Sequence, residues 1–184
     1  MLQQVLFEVS QVPVFVAGGI ATGKACAHMF LMGASGVQLG TRFAVATESC
    51  AHPNFKKAFL RAKARDAVST PQFDSPLPIV AVRALRNLAT DDFGRLQIEL
   101  IGKMEKGTVG PREAQEQVEQ FWMDRLRSAV VDGDVDHGSL MAGQSVGLVT
   151  GETSVREIMN ELLTDTEQEL HSTRRRLRRH GPGR

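Results

Sequence analysis

The first 45 residues carry an apolar pattern that predicts a strand, a helix and a second strand. Leu2 to Val9 is a short amphipathic stretch, and Val12 to Ala17 is an apolar run rich in β-branched residues, as in a strand buried on both faces. Thr22 can cap a helix that stops at Gly33, and Gly36 to Gly40 forms the second strand. This order predicts two parallel strands joined by a right-handed crossover.

After residue 45 the pattern becomes helical. Asn54 to Asp66 is basic and amphipathic, and Val68 to Pro78 is a loop rich in proline, serine and threonine. Pro111 suits the first residue of a long helix that reaches Val131 and is ended by Gly133. Residues 46–131 are therefore predicted to be mainly helical, and Asp134 to Thr150 is glycine-rich and irregular. Because two parallel strands do not stand alone, either further strands lie in Leu77 to Leu85 or the chain is part of a larger barrel or sheet, and we favour the second.

A capping box opens the last predicted helix. Ser154 and Glu157 have the S-x-x-E spacing, and the helix is expected to run to about Leu170. Residues 172–184 are polar and rich in arginine, and we expect them to be disordered because they cannot bury a core. This tail holds six arginines, Arg174, Arg175, Arg176, Arg178, Arg179 and Arg184. We favour a solvated or non-native extension over a contact with an anionic partner.

Composition narrows the class of protein. The net charge is +1, and the body without the six tail arginines carries −5, while tyrosine is absent and aromatic residues make up 5%. Both features argue against a nucleic-acid-binding protein. Cys26 and Cys50 have neither metal-binding nor disulfide-framework spacing, which favours a reducing cytoplasm. No apolar run has the length of a membrane span, so we expect a protein that does not bind membranes.

The turn after the first strand nearly matches a P-loop. Residues 18–25 read Gly-Gly-Ile-Ala-Thr-Gly-Lys-Ala, but Ala25 lacks the hydroxyl that would ligate magnesium, so a nucleoside triphosphatase is disfavoured. A glycine turn before a helix can still offer backbone N–H groups to a phosphate. The alternative is that Gly18 and Gly19 only make a tight turn.

The second strand ends in a similar way. Gly40 and Thr41 are followed by Arg42, so two adjacent parallel strands each end in a glycine-bearing loop. Such loops form a shared phosphate site after the last two strands of many TIM barrels. For Arg42, a role as a solvated or ion-paired structural residue stays open.

Several ordered motifs resemble the nitronate monooxygenase family, also called 2-nitropropane dioxygenase-like, and within it the flavin-dependent enoyl-acyl carrier protein reductase II branch. The motifs are Val12–Gly23, Met32–Phe43, Glu48–Pro53, Val82–Asn87 and Gly133–Gly147. The resemblance implies an α/β fold, the C-terminal part of an FMN-binding (β/α)8 TIM barrel. Residues 1–45 would be its last two βα units with the phosphate-binding loops, residues 46–131 a mainly helical insertion, and residues 132–171 the return segment and final helix.

The resemblance also implies the site. Gly18 and Gly19 would bind the FMN phosphate from the seventh strand, and Gly40 and Thr41 from the eighth. The return segment would lie near the flavin through Met141, Ala142, Gly143 and Gln144, although Met141 is equally readable as a core residue. The family's catalytic histidine belongs to a portion that precedes this chain, so no local residue inherits its role.

Three functions remain open from the resemblance. The first is flavin-mediated oxidation of alkyl nitronates with O2, with this chain as a fragment that binds the FMN phosphate. The second is an NAD(P)H- and FMN-dependent enoyl-acyl carrier protein reductase, and the third is a non-catalytic truncated remnant. The expected partners are a small-molecule substrate, a nitronate or an enoyl thioester, and a second copy in a homodimer of the full-length enzyme. No metal site is predicted, and of the five histidines only His52 merits a test.

Overall fold

The computed structural model describes residues 2–9, 11–73, 77 and 79–180, with the side chains of residues 179 and 180 left aside. Residues 74–76 and 78 of the predicted loop, and residues 181–184 of the predicted tail, lie outside the described residues. The described helices are α1 (Leu2–Glu8), α2 (Gly23–Leu31), α3 (Thr41–Ala44), α4 (Pro53–Arg61), α5 (Leu88–Glu105), α6 (Pro111–Arg127) and α7 (Val155–His180). The strands are β1 (Phe15–Ala17), β2 (Gly36–Gln38), β3 (Ala67–Ser69) and β4 (Arg83–Leu85).

The predicted βαβ unit is present. β1 and β2 pair in parallel, with Ala17 opposite Gln38 at their carboxyl ends. Thr22 caps α2 by accepting a hydrogen bond from the backbone N–H of Ala25 at 3.3 Å, and Gly33 ends that segment with a φ of 103°. The predicted parallel pairing of two strands joined by a helix is confirmed, although each strand is shorter than the apolar run from which it was predicted.

A second small sheet lies within residues 46–131, and its second strand falls in Leu77 to Leu85, where further strands were the less favoured alternative. β3 and β4 pair in antiparallel fashion, and Met141 of the return segment forms a further bridge to Ala84. The prediction of an uninterrupted loop from Val68 was therefore wrong at its start. With three residues each, these strands are too short to show an alternating pattern in the sequence.

The insertion is dominated by the antiparallel pair α5 and α6, here called the insertion hairpin. Its core contains Phe93, Leu100 and Ala114, none of which has measurable exposure. Pro111 opens α6 as predicted, and Gly133 follows a wider helical turn at residues 128–132 with a φ of 75°. The two signals predicted for α6, a proline at its first position and a glycine after its last turn, are therefore both present.

α7 packs along α2 and closes the other side of the βαβ unit. Ile158 and Leu162 of α7 lie in one apolar cluster with Val16 of β1 and Cys26 of α2. The capping box at its start is confirmed, because the backbone N–H of Ser154 donates to the Glu157 carboxylate at 2.8 Å. That hydrogen bond lowers the pKa of Glu157, as does a second one from the Ser154 hydroxyl.

The helix does not end near Leu170. It continues to His180, so the prediction that disorder begins at Ser172 was wrong for residues 172–180. Arginine is a good helix former, and a helix already started needs only favourable propagation. In this part of the helix the Glu169 carboxylate also lies 3.5 Å from Nε2 of His28 on α2.

Candidate functional site

The carboxyl ends of β1 and β2 place two glycine-bearing loops side by side. Gly18 and Gly19 follow β1 with φ values of 91° and 71°, in the left-handed region that side chains rarely adopt. Gly40 follows β2 at a φ of −103°. A Cβ built on any of these three glycines would meet no atom within 4 Å, so their backbones border open space.

The return segment closes the third side of this space. The backbone N–H of Gly143 donates to the Thr41 hydroxyl at 3.2 Å, across 102 residues of sequence. A Cβ on Gly143 would lie 3.5 Å from the backbone nitrogen of Gly19. Ser145, two residues on, is buried with 6% of its surface exposed. Three segments that are distant in sequence therefore meet.

Together they enclose a cavity of about 270 Å³, here called the glycine pocket. It is lined by Ala17, Gly18, Gly19, Ile20, Gln38, Gly40, Thr41, Gly143 and Ser145. Five of the eight residues predicted for the site are in this set. The structure thus brings together the two predicted loops and one residue of the return segment.

The other three predicted residues lie beside the pocket and do not line it. Met141 is bridged to Ala84 and is 37% exposed, which does not match a core position. Ala142 is buried, and its N–H donates to the carbonyl of Arg83 at 3.1 Å. Gln144 is exposed at the start of a short 3₁₀ turn. Their contact with a flavin stays a prediction.

Sequence reasoning missed four lining residues. Ala17 and Gln38 are the last residues of β1 and β2, and strand position alone could have indicated them. Ile20 continues the first loop. Ser145 had no such signal, because its position depends on how the return segment folds back over a long sequence separation.

Among the described residues, no cationic side chain lines the pocket, although Arg42 directly follows Gly40 and Thr41 at the end of β2. Arg42 points away and donates to the carbonyl of Ala21 at 2.8 Å and to the carboxylate of Glu161. Its side chain is only 13% exposed. The question left open for Arg42 is answered in favour of a structural ion pair, and none of the described residues lining the pocket is charged.

Gly23, the third glycine of the P-loop-like stretch, serves helix packing. A Cβ at this position would lie 2.5 Å from Cβ of Asp165 and 2.6 Å from the carbonyl oxygen of Leu162. The hydroxyl of Thr166 donates to the carbonyl of Gly23 at 3.1 Å. The glycine is thus required for the close approach of α2 and α7, and the start of α2 does not line the pocket.

His52, singled out for testing, has a structural role. Its Nδ1 caps α4 by accepting from the backbone N–H of Asn54 at 3.1 Å. Its ring lies over Gly133, where a Cβ would approach Nδ1 to 2.1 Å. None of the glycine-pocket residues is a histidine.

Comparisons with known proteins identify the family of this chain. The family model for nitronate monooxygenase matches residues 1–165. The chain belongs to the nitronate monooxygenase family. Members of this family are FMN-dependent oxidoreductases and monooxygenases, and the family was the one indicated by the sequence motifs.

Curated relatives and solved structures extend the comparison. A probable nitronate monooxygenase of Bacillus subtilis is 27% identical over 151 residues, which cover 82% of this chain and 39% of that protein. FabK from Thermotoga maritima has a TM-score of 0.75 and 32% identity, over 94% of this chain and 50% of that one. A nitroalkane oxidase from Streptomyces ansochromogenes, 22% identical with a TM-score of 0.63, shares the fold.

The solved neighbours FabK and the nitroalkane oxidase are TIM-barrel proteins, and the present chain is α/β with mostly helical content. The chain spans half or less of the relatives named above. Among helices of the described residues, none has the length and apolar character needed to cross a membrane.

Proposed function

We propose that this chain is the carboxy-terminal part of an FMN-dependent oxidoreductase and that its glycine pocket holds the FMN phosphate. The observation that carries the proposal is that Gly18 and Gly19, Gly40 and Thr41, and Gly143 and Ser145 meet around one cavity. β1 and β2 would be the seventh and eighth strands of the barrel. Residues 46–131, with β3 and β4, would be an insertion before the final helix.

The pocket fits a phosphate by backbone and hydroxyl donors. Among the described residues, no backbone hydrogen bond outside helices and strands uses the N–H of Gly19 or Gly40. Successive N–H groups in turn conformations make a concave site for anions without any cationic side chain. The hydroxyls of Thr41 and Ser145 can add donors, and the missing side chains at the glycines let the phosphate approach the backbone.

The role of these residues is to bind and orient. Bound FMN would supply the electron transfer, as flavins do in other enzymes. Gly19 and Gly40 would fix one end of the cofactor, and the hydrogen bond from Gly143 to Thr41 would hold the return segment over it. No residue of this chain is proposed to act on substrate.

Relatives support two reactions for the full-length enzyme. The name of the B. subtilis relative supports oxidation of alkyl nitronates with O2, and the 32% identity with FabK supports NAD(P)H-dependent enoyl thioester reduction. Oxygen uptake with a nitronate, measured against NAD(P)H oxidation with an enoyl thioester in the full-length enzyme, separates them. The third alternative is that this chain, as it stands, is a non-catalytic truncated remnant, and turnover of either substrate by the isolated chain with bound FMN would contradict it.

Binding of FMN and of riboflavin, which lacks the phosphate, tests the pocket directly. We expect flavin fluorescence titrations to give about tenfold tighter binding of FMN, because charge-assisted hydrogen bonds reach only the phosphate. Gly40→Val should remove this preference, since its side chain would occupy space that borders the pocket. Equal affinities for FMN and riboflavin in the wild type would contradict the proposal.

Gly110→Val is the matched control. Gly110 precedes α6 as Gly40 precedes α3, its φ of −83° tolerates a side chain, and a Cβ there also meets open space. This variant should keep the preference for FMN. If both variants lost it equally, the effect of Gly40→Val would reflect the fold and not the pocket.

A further inference from the structure

The C-terminal extension of α7 makes contacts of its own beyond the part matched by the family. The family match ends at residue 165, and the helix continues for fifteen residues to His180. Glu169 is 8% exposed and accepts from Arg176 at 2.6 Å and from the Thr173 hydroxyl at 3.2 Å. Its carboxylate also lies 3.5 Å from Nε2 of His28 on α2. The extension therefore contacts α2 through Glu169 and His28.

Burial raises the pKa of Glu169, but the hydrogen bonds from Thr173 and Arg176 and the charges of Arg176 and Lys24 outweigh it, so the net shift is downward. The carboxylate is therefore ionised and already satisfied by partners within the protein.

An open cleft of about 800 Å³ runs along this part of α7, here called the cationic cleft. It is lined by Lys24, Asp165, Gln168, Glu169, His171, Ser172, Arg174, Arg175 and Arg178. Within the described part of the chain, the guanidinium groups of Arg174, Arg175 and Arg178 have no hydrogen bond and no ion pair. Arg174 and Arg178 are four residues apart, where like charges on a helix repel. An anion between them would remove that repulsion.

An apolar cleft of about 510 Å³ adjoins the cationic one. Leu31 at the end of α2 lines it together with Leu170 and Leu177 of α7, and Leu31 and Leu177 are 56% and 70% exposed. Arg174 and Arg178 line both clefts. Arg174 and Arg178 thus lie between the cationic cleft and the apolar cleft.

We propose that the two clefts form a binding site for an amphiphilic phosphate ester, with the phosphate between Arg174, Arg175 and Arg178 and the apolar chain along Leu31 and Leu177. Guanidinium groups suit phosphate because their N–H groups match its oxygens in pairs. The apolar part gains by covering two leucines that the protein leaves in water. A membrane lipid and a free acyl-chain phosphate share this chemistry.

The site is independent of the proposed flavin pocket. The two clefts share no lining residue with the glycine pocket, and Arg42, which directly follows Gly40 and Thr41, is already paired with Glu161. A failure of either proposal leaves the other standing, because each is read out with its own ligand and its own variants.

Titration calorimetry with dodecyl phosphate below its micellar concentration tests the site on the whole chain. We expect binding of dodecyl phosphate and at least about tenfold weaker binding of dodecyl maltoside, which has the same tail and a neutral head. Arg174→Gln combined with Arg178→Gln should weaken dodecyl phosphate binding about tenfold, and Leu177→Gln severalfold. All three side chains are exposed, so circular dichroism should report an unchanged fold.

Lys57→Gln combined with Arg61→Gln is the matched control, because these exposed cations of α4 have the same spacing and the same loss of charge. Unchanged affinity in the Arg174/Arg178 variant, or an equal loss in the control, would overturn the proposal. Sedimentation with phosphatidylglycerol and phosphatidylcholine vesicles distinguishes the sources. Arginine-dependent binding to the anionic vesicles indicates a lipid, and binding of the soluble ester alone indicates a free phosphate ester.

Discussion

The glycine pocket and the insertion hairpin place opposite demands on side chains. In the pocket, Gly19, Gly40 and Gly143 expose backbone to a cavity, and a Cβ on the first two meets nothing within 4 Å. In the hairpin, Phe93 is fully buried, with its ring centroid 4.5 Å from that of Trp122 and 5.6 Å from that of Phe121. The first region is shaped by missing side chains and the second by large ones.

This difference separates ligand binding from stability. A larger side chain at the pocket should weaken FMN binding with little change in the free energy of unfolding. A smaller side chain in the core of the hairpin should lower the free energy of unfolding with little change in affinity for FMN. The following substitutions test that separation.

Phe93→Ala has the largest expected effect. Removing a fully buried phenylalanine leaves a cavity and should lower the free energy of unfolding by about 3–5 kcal/mol. Urea denaturation followed by circular dichroism measures the change, with Phe7→Ala as control because Phe7 is 83% exposed. FMN affinity of the folded protein should stay the same; a parallel loss of FMN binding would show that the two regions are coupled.

Gly23→Val tests whether Gly23 serves the packing of α2 against α7, although it belongs to the same glycine-rich stretch as Gly18 and Gly19. Its Cβ would overlap Asp165 and Leu162, so α2 and α7 must separate, at a cost of about 1–3 kcal/mol in unfolding free energy. Gly40→Val, only seventeen positions away, should cost much less because its Cβ meets open space. Equal destabilisation by both would contradict the assignment of Gly23 to helix packing.

Local signals in the sequence were sufficient for the βαβ unit. The Thr22 cap, the stop at Gly33 and the capping box of Ser154 and Glu157 involve residues within a few positions of each other, and all are present. The family motifs also indicated that the loops at Gly19 and Gly40 belong together. Parallel strands necessarily bring such loops to one edge.

Long-range contacts could not be read in the same way. The position of Ser145 depends on a hydrogen bond that spans 102 residues, from Gly143 to Thr41. β3 and β4 have three residues each, so their pairing leaves no alternating pattern of apolar and polar residues in the sequence. The arginine-rich end of α7 has the composition of a disordered tail, and its contact with α2 through Glu169 is visible only in three dimensions.

Gly102→Ala has the smallest expected effect and probes the hairpin in the opposite direction. Gly102 lies within α5, where a Cβ would meet nothing within 4 Å. Alanine should therefore fit without strain and raise the free energy of unfolding by about 0.5–1 kcal/mol, because it has less conformational freedom to lose than glycine. The shift of the urea midpoint measures this gain, and FMN titration should give the wild-type affinity. A loss of stability would contradict the open space around Gly102 and would mean that a second copy packs there, and the hairpin would then have to be regarded as an interface as well as a core.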